Sequence, residues 1–213
     1  MAQDPILLRR YFYEVIDMQY IKLGDCAKIK FCSLTPSRSK QQTAPSRWLV
    51  CANFLADNDV VNKPTVNNVV PDDEWALNKH DIVVKRITPT FVNYIDFEPS
   101  EVFCGNNLII VTPNLKGDAK YLAMFLNEKI RELSKESSIG AVMKSISRYD
   151  LESLEVPYPD EKRRYLLGEL WYHGIELKKK RIRLAELENL RTNYLIKESI
   201  HTAGGRENGK NNI

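Results

Sequence analysis

Between Glu161 and Ser199 the sequence has no proline and places leucine, isoleucine or an aromatic residue at nearly every third or fourth position, with charges between. That periodicity predicts one long helix. Leu166, Leu170, His173, Leu177, Leu184, Leu187, Arg191 and Tyr194 follow alternating spacings of three and four, and Leu167, Trp171, Ile175, Ile182, Ala185 and Ile196 widen the stripe. At 1.5 Å per residue the roughly 39 residues span about 60 Å, far more than the depth of a small domain. Such a helix projects, and its stripe stays exposed unless another helix covers it. No second helix of this kind occurs in the chain, so the expected cover is another copy.

The helix has a defined start. Pro157 and Pro159 in "LEVPYPDE" hold an extended exit and disfavour helix at the residue before each proline. The 213 residues and 43% hydrophobic content allow one medium domain upstream of that exit. Residues 1–19 read as an N-terminal arm, 20–160 as the domain, 161–199 as the projecting helix and 200–213, "IHTAGGRENGKNNI", as a polar disordered tail.

Within the domain, "YIKLGDCAKIKFC" alternates around Gly24-Asp25 as two short strands and a turn would. "WLVCANFL", "PTVNNVV", "HDIVVKRI", "TFVNYIDF" and "NNLIIVTP" are rich in Val, Ile, Phe and Tyr and predict a twisted, mostly antiparallel sheet or partial barrel. "DAKYLAMFLNEKIRELSK" predicts a helix with Asp118 as its N-cap and Leu122, Phe125, Leu126, Ile130 and Leu133 along one face, packed on that sheet. The fold class is α+β: a β-rich domain with packed helices, then a long coiled-coil helix.

Reaction chemistry is missing. The chain has no GxGxxG turn, Walker loop or GxSxG elbow, and no two adjacent prolines, which removes the NPPY or DPPY motif of an amino-methyltransferase. Pro71-Asp72 with Glu176-Leu177-Lys178 is a chance likeness to a nuclease cluster, because the second half lies on the long helix. His173, at a seam position, reads as a residue that sets helix register. Cys26, Cys32, Cys51 and Cys104 lack CxxC spacing, and His80, His173 and His201 are scattered, so no metal site and no cofactor is expected. Reduced thiols, together with an N-terminus too short in apolar residues for a signal or membrane span, predict a cytoplasmic protein.

A net charge of +3 makes any nucleic-acid surface local. "SLTPSRSKQQTAPSR" carries Arg38, Lys40 and Arg47 with no acid, as an exposed basic loop does.

The segment "IGAVMKSISRYDLESLEVPYPDEKRR" resembles the end of a target recognition domain in the DNA-specificity subunit of type I restriction-modification systems. It consists of a glycine, a short basic strand, a small helix with Asp-Leu, a strand ending in V-P-x-P and a long helix. "IKLGDCAKIKF", "HDIVVKRI", "NNLIIVTP" and "AKYLAMFLN" follow the order of that domain's other blocks, so the likeness extends over about residues 20 to 200. The resemblance implies that the domain reads one half of a split double-stranded DNA sequence. The helix then pairs with its counterpart as a spacer and supports a modification methyltransferase subunit and, through it, a restriction subunit. Subunits of that family usually carry two recognition domains and two spacer helices, whereas this sequence has one of each. It looks like a half subunit whose two copies, packed antiparallel as a homodimer, would read a split palindrome.

Base-reading residues vary within that family and are argued here from chemistry. Arg38, Lys40, Arg47, Lys85, Arg86, Lys144 and Arg148 can meet guanine edges or phosphates, Asn67 and Asn68 adenine, and Ser145 and Ser147 either. Lys144 to Arg148 lies in the block that carries the resemblance. A freestanding coiled-coil DNA-binding regulator, or a scaffold that pairs its helix with a non-DNA partner, is the alternative. On every one of these readings the purified chain by itself turns over no methyl donor, no ATP and no DNA phosphodiester. Robust turnover abolished by a substitution in this chain would overturn that expectation.

Overall fold

The computed structural model describes residues 19–33, 48–50, 59–61, 75–87, 90–100, 102–136 and 145–204. It comprises two units, Met1–Tyr172 and His173–Ile213.

In the first unit, β1 (Tyr20–Lys22), a one-turn helix α1 (Leu23–Cys26) and β2 (Ala27–Phe31) lead to β3 (Trp48–Val50), β4 (Asp59–Val61), β5 (Ile82–Lys85), β6 (Val92–Ile95), β7 (Val102–Cys104) and β8 (Leu108–Pro113). After a 3₁₀ turn at Lys116–Asp118 come α2 (Ala119–Glu136), α3 (Arg148–Glu152), β9 (Glu155–Pro157) and the start of α4 (Glu161–Gly204). The fold is mixed helix and sheet, as the patterning predicts.

Five strands form one sheet in the order β2-β8-β5-β6-β4, antiparallel except for the β4–β6 pair. The central strands β5 and β8 are apolar runs rather than alternating ones, because both faces of the sheet are covered. On one face Val83, Ile95, Leu108 and Ile110 join Cys32, Val50, Leu77, Val102 and Cys104 in a core edged by Trp75 and Phe97. Strand parity turns Ile82, Val84, Ile109 and Val111 to the other face, where α2 lies against β6 and β8. The helix brings Ala119, Leu122, Leu126 and Ile130, all buried, at the three- and four-residue spacing of an apolar stripe. A small parallel pair, β3–β7, flanks the first core.

Two local readings change. Around Gly24-Asp25 there is a helical turn, and β1 pairs not with β2 but with β9, Ile21 opposite Val156. Gly24 lets the turn lie close to α3: a Cβ would stand 3.3 Å from the carbonyl oxygen of Glu152, a tight contact. Asp118 does not cap α2. Its carboxylate accepts from Arg164 Nε at 2.8 Å and from the Tyr158 hydroxyl, so it joins the 3₁₀ turn to the start of α4. "PTVNNVV" lies outside the described residues, and further strands form at Asp59–Val61 and Val102–Cys104.

The first turns of α4 belong to the first unit: Arg164 and Gly168, one turn apart, are buried, and Leu167 and Trp171 are half-buried. In the second unit Leu177, Leu184, Leu187, Leu190, Tyr194 and Leu195 are exposed on the helix. No helix among the described residues is long and apolar enough to cross a membrane.

Leu122 is fully buried against the sheet. Leu122→Ala is expected to cost about 2–5 kcal/mol, read as a lower denaturant midpoint with an unchanged slope.

Candidate nucleic-acid interface

The strand β2 alternates. Ala27 and Ile29 are buried, while Lys28 is exposed and Lys30 half-buried. Phe31, at the strand's end, has two guanidinium groups against its ring, Arg86 at 5.4 Å and Arg148 at 5.1 Å from the centroid. Cation–π contacts of this kind are worth about 0.5–1 kcal/mol each where exposed.

Each guanidinium is held by backbone as well. Arg86 directly follows β5, its N–H donates to Asn107 O, and Asn107 takes a left-handed φ of 62° in the turn before β8. Ile87 forms a bridge with Ser145, Ile146 N donates to Arg86 O, and Arg86 Nε returns a bond to Ile146 O at 3.2 Å. Arg148 Nη1 donates to Ile29 O at 3.2 Å and lies 3.3 Å from Glu152 Oε1. The terminal nitrogens of Arg86 and the Nη2 of Arg148 make no hydrogen bond among the described residues. The Phe31 ring and the backbone carbonyls fix both groups in place, the condition for a preorganised fork.

The helix α3 is set by a capping box. Asp150 N donates to Ser147 Oγ at 3.1 Å, and Ser147 N donates to Asp150 Oδ2 at 3.2 Å. The Ser147 hydroxyl also donates to Asp150 Oδ2, so this side chain serves the cap first and a ligand second. Tyr149, the next residue after Arg148, is 77% exposed. Lys85 lies over the Phe91 ring at 5.1 Å, and its N–H donates to Phe91 O.

The structure therefore brings Arg86, Ser145, Ser147 and Arg148 to one end of the sheet, with Lys85 in the adjoining strand. Arg38, Lys40, Arg47, Asn67, Asn68 and Lys144 lie outside the described residues. Phe31, Lys28 and Lys30 belong to the same edge and were not singled out from sequence. Their signal is the alternation in "AKIKF", which marks an edge strand with lysines on its outer side.

Among the described residues no group of His, Cys, Asp or Glu could hold a metal ion. Fold and edge together define a class: a β-rich binding domain with a preorganised basic and aromatic edge, followed in the chain by a long helix. The chain belongs to the family of type I restriction modification DNA specificity domains, whose model matches residues 16–164.

Solved structures share the fold. A chain from a structure concerned with assembly and conformational transition of the type I R-M system aligns over 92% of this chain and 50% of its own length, at 16% identity and a TM-score of 0.59. The HsdS subunit from Thermoanaerobacter tengcongensis aligns over 79% of this chain and 42% of its own, at 16% identity and a TM-score of 0.53. The type I S subunit from M. genitalium aligns over 84% and 46%, at 15% identity and a TM-score of 0.52. The chain thus spans half or less of the length of these proteins. No curated protein sequence matches it.

Arg148→Ala is expected to weaken binding to the recognised duplex by about 1–3 kcal/mol relative to random duplex if a base edge is met. An equal loss on both duplexes would identify a phosphate contact. Wild-type binding to both at physiological salt would remove this edge from the interface.

Proposed function

We propose that the chain is the sequence-reading component of a type I restriction-modification methyltransferase/endonuclease complex. It acts as a half subunit, reading one half of a split DNA site through the Phe31–Arg86–Arg148 edge and pairing α4 with a second copy. The observation that carries this reading is the family match over residues 16–164 together with a guanidinium pair held at the end of the sheet. The chain itself is non-catalytic; methyl transfer and cleavage fall to partner subunits.

Pairing through α4 is supported by its exposed leucines, among them Leu177 at 49% and Leu184 at 57%. Leu166, Leu170 and Leu187 are exposed with them, as are His173 and Tyr194. Charge argues for the direction. A parallel pair in register would set Lys180, at the seam spacing of three from Leu177, beside its own copy, which is unfavourable. An antiparallel pair centred between Ala185 and Glu186 would set Leu177 opposite Tyr194, Leu184 opposite Leu187 and Arg183 opposite Glu188. The same register opposes Lys180 to Arg191, whose long stems can lie along the seam with their charges outward. Two-fold symmetry then implies a palindromic split site.

Light scattering at micromolar concentration should give twice the monomer mass. Leu177→Asp with Leu184→Asp would bury unpaired carboxylates in the seam and should give monomers with the domain still folded. A monomeric wild type sinks the half-subunit reading.

A further inference from the structure

Arg148 and Arg86 meet the same Phe31 ring, yet their guanidinium groups are committed differently. Arg148 uses Nη1 for both of its hydrogen bonds, to Ile29 O at 3.2 Å and to Glu152 Oε1 at 3.3 Å. Its Nε and Nη2 make no hydrogen bond among the described residues, so the side edge of the fork keeps both of its donors. Arg86 commits Nε to Ile146 O, which leaves it only the end pair, Nη1 and Nη2.

Glu152 stands one helical turn from Arg148 and is itself well seated. A Cβ on Gly24 would lie 3.3 Å from its carbonyl oxygen and 3.4 Å from its Cβ, so the end of α3 rests against α1. The capping box at Ser147 sets the other end of the same helix. The two paired side chains are 55% and 44% exposed, and ion pairs in such settings contribute little to stability. Their order is also the weaker one, because an acid suits a helix better before its basic partner than after it. An acid here lowers affinity for DNA as well. On an edge that carries Lys28, Arg86 and Arg148, a carboxylate 3.3 Å from one guanidinium repels any phosphate that approaches that group.

That repulsion falls unequally on the two acceptors a fork can meet. A phosphate brings a full negative charge to the side of Glu152. The O6 and N7 atoms of guanine carry no net charge and lie side by side, matching two parallel donors, and the paired cytosine presents an amino group that a carboxylate accepts. Contact with a base thus keeps what contact with phosphate loses.

We infer that Glu152 is a specificity-determining residue of this edge: it holds Arg148 by Nη1 so that the Nε–Nη2 side meets a guanine, and its charge turns phosphate away from the same fork. The inference rests on the sequence-reading role proposed for the edge and adds the base that Arg148 reads. Glu152 is a positioning residue, because it acts on the guanine through Arg148.

The test begins with selection of bound duplexes from a random-sequence library at low salt by the full chain. Each enriched guanine is then replaced by 7-deazaguanine, which lacks the N7 acceptor and keeps the pairing edge. For wild type, one replacement should weaken binding about tenfold, the scale of a lost hydrogen bond to a charged group, and Arg148→Ala should erase that penalty. Glu152→Ala should lose most of the penalty while binding random duplex at least as tightly as wild type. Glu152→Gln, which keeps an acceptor and removes the charge, should retain the penalty and bind random duplex more tightly. A motif with no such guanine, a penalty undiminished in Glu152→Ala, weaker binding of random duplex by that variant, or a loss that Glu152→Gln does not restore overturns this inference alone. No enriched motif with wild type, or a motif that Arg148→Ala binds as wild type does, overturns reading through this edge and this inference with it.

Discussion

The Asp118–Arg164 pair is the contact on which the arrangement of the first unit turns. Both side chains are almost wholly buried, so the charges are stable there only because their hydrogen-bonding capacity is met. One carboxylate oxygen takes Arg164 Nε and the other the Tyr158 hydroxyl, while Arg164 also reaches Pro159 O. Removing one partner of such a pair costs roughly 3–5 kcal/mol, whereas matched apolar replacements are often no worse. The pair therefore matters less for total stability than for where it puts three segments: the turn before α2, the exit after β9 and the root of α4. The surrounding phenols keep their protons. Burial pushes Tyr121 up to about 12, and burial together with the bond to Asp118 raises Tyr158, so both act as donors throughout the neutral range. Tyr121 uses its proton on Pro157 O and closes the β1–β9 pair beneath it.

The sheet carries that order to its other end. Strand β2 opposes Ala27 to Pro113 at one end and Phe31 to Ile109 at the other, and β5 opposes Ile82 to Val111 and Lys85 to Leu108. Asp81, held by the Thr112 hydroxyl and the Asn78 N–H, therefore lies at the end of the sheet that Ala27 and Pro113 share. Arg86 and Phe31 lie at the opposite end. The separation is about four residues of strand, or ~13 Å.

Elements defined by local periodicity were legible in the sequence, and those defined by distant partners were not. "HDIVVKRI", "TFVNYIDF" and "NNLIIVTP" became β5, β6 and β8, and "DAKYLAMFLNEKIRELSK" became α2, because apolar runs and helical stripes act within one element. Asp118 misled because an acidic residue ahead of a helix is locally a cap, whereas its partner stands 46 positions away in the chain. The hairpin expected around Gly24 gave way to pairing between β1 and β9, a contact between opposite ends of the domain that no local pattern encodes. Gly168 reads in sequence only as a weak point in a helix; its use appears once Tyr121 N is seen against it. The basic edge was half legible. Arg86 and Arg148 were marked by charge, but that they share Phe31 depends on pairing residues 60 positions apart, Arg86 with Ile146.

That sharing bears on what the edge can do. A lysine on an outer strand position, such as Lys28, carries its charge on a flexible stem that loses rotamer freedom in any contact, which suits a phosphate that needs only a nearby cation. Arg86 and Arg148 have lost much of that freedom already, through backbone carbonyls and the Phe31 ring. Ordering them on binding costs less, and their remaining nitrogens keep a fixed direction. A fixed fork discriminates between base edges because a wrong base leaves it unsatisfied, while a mobile one adjusts to whatever it meets. The Phe31 edge is thus built to present a fixed direction of hydrogen-bond donors, the property that the proposed reading of base edges requires and that a phosphate contact does not.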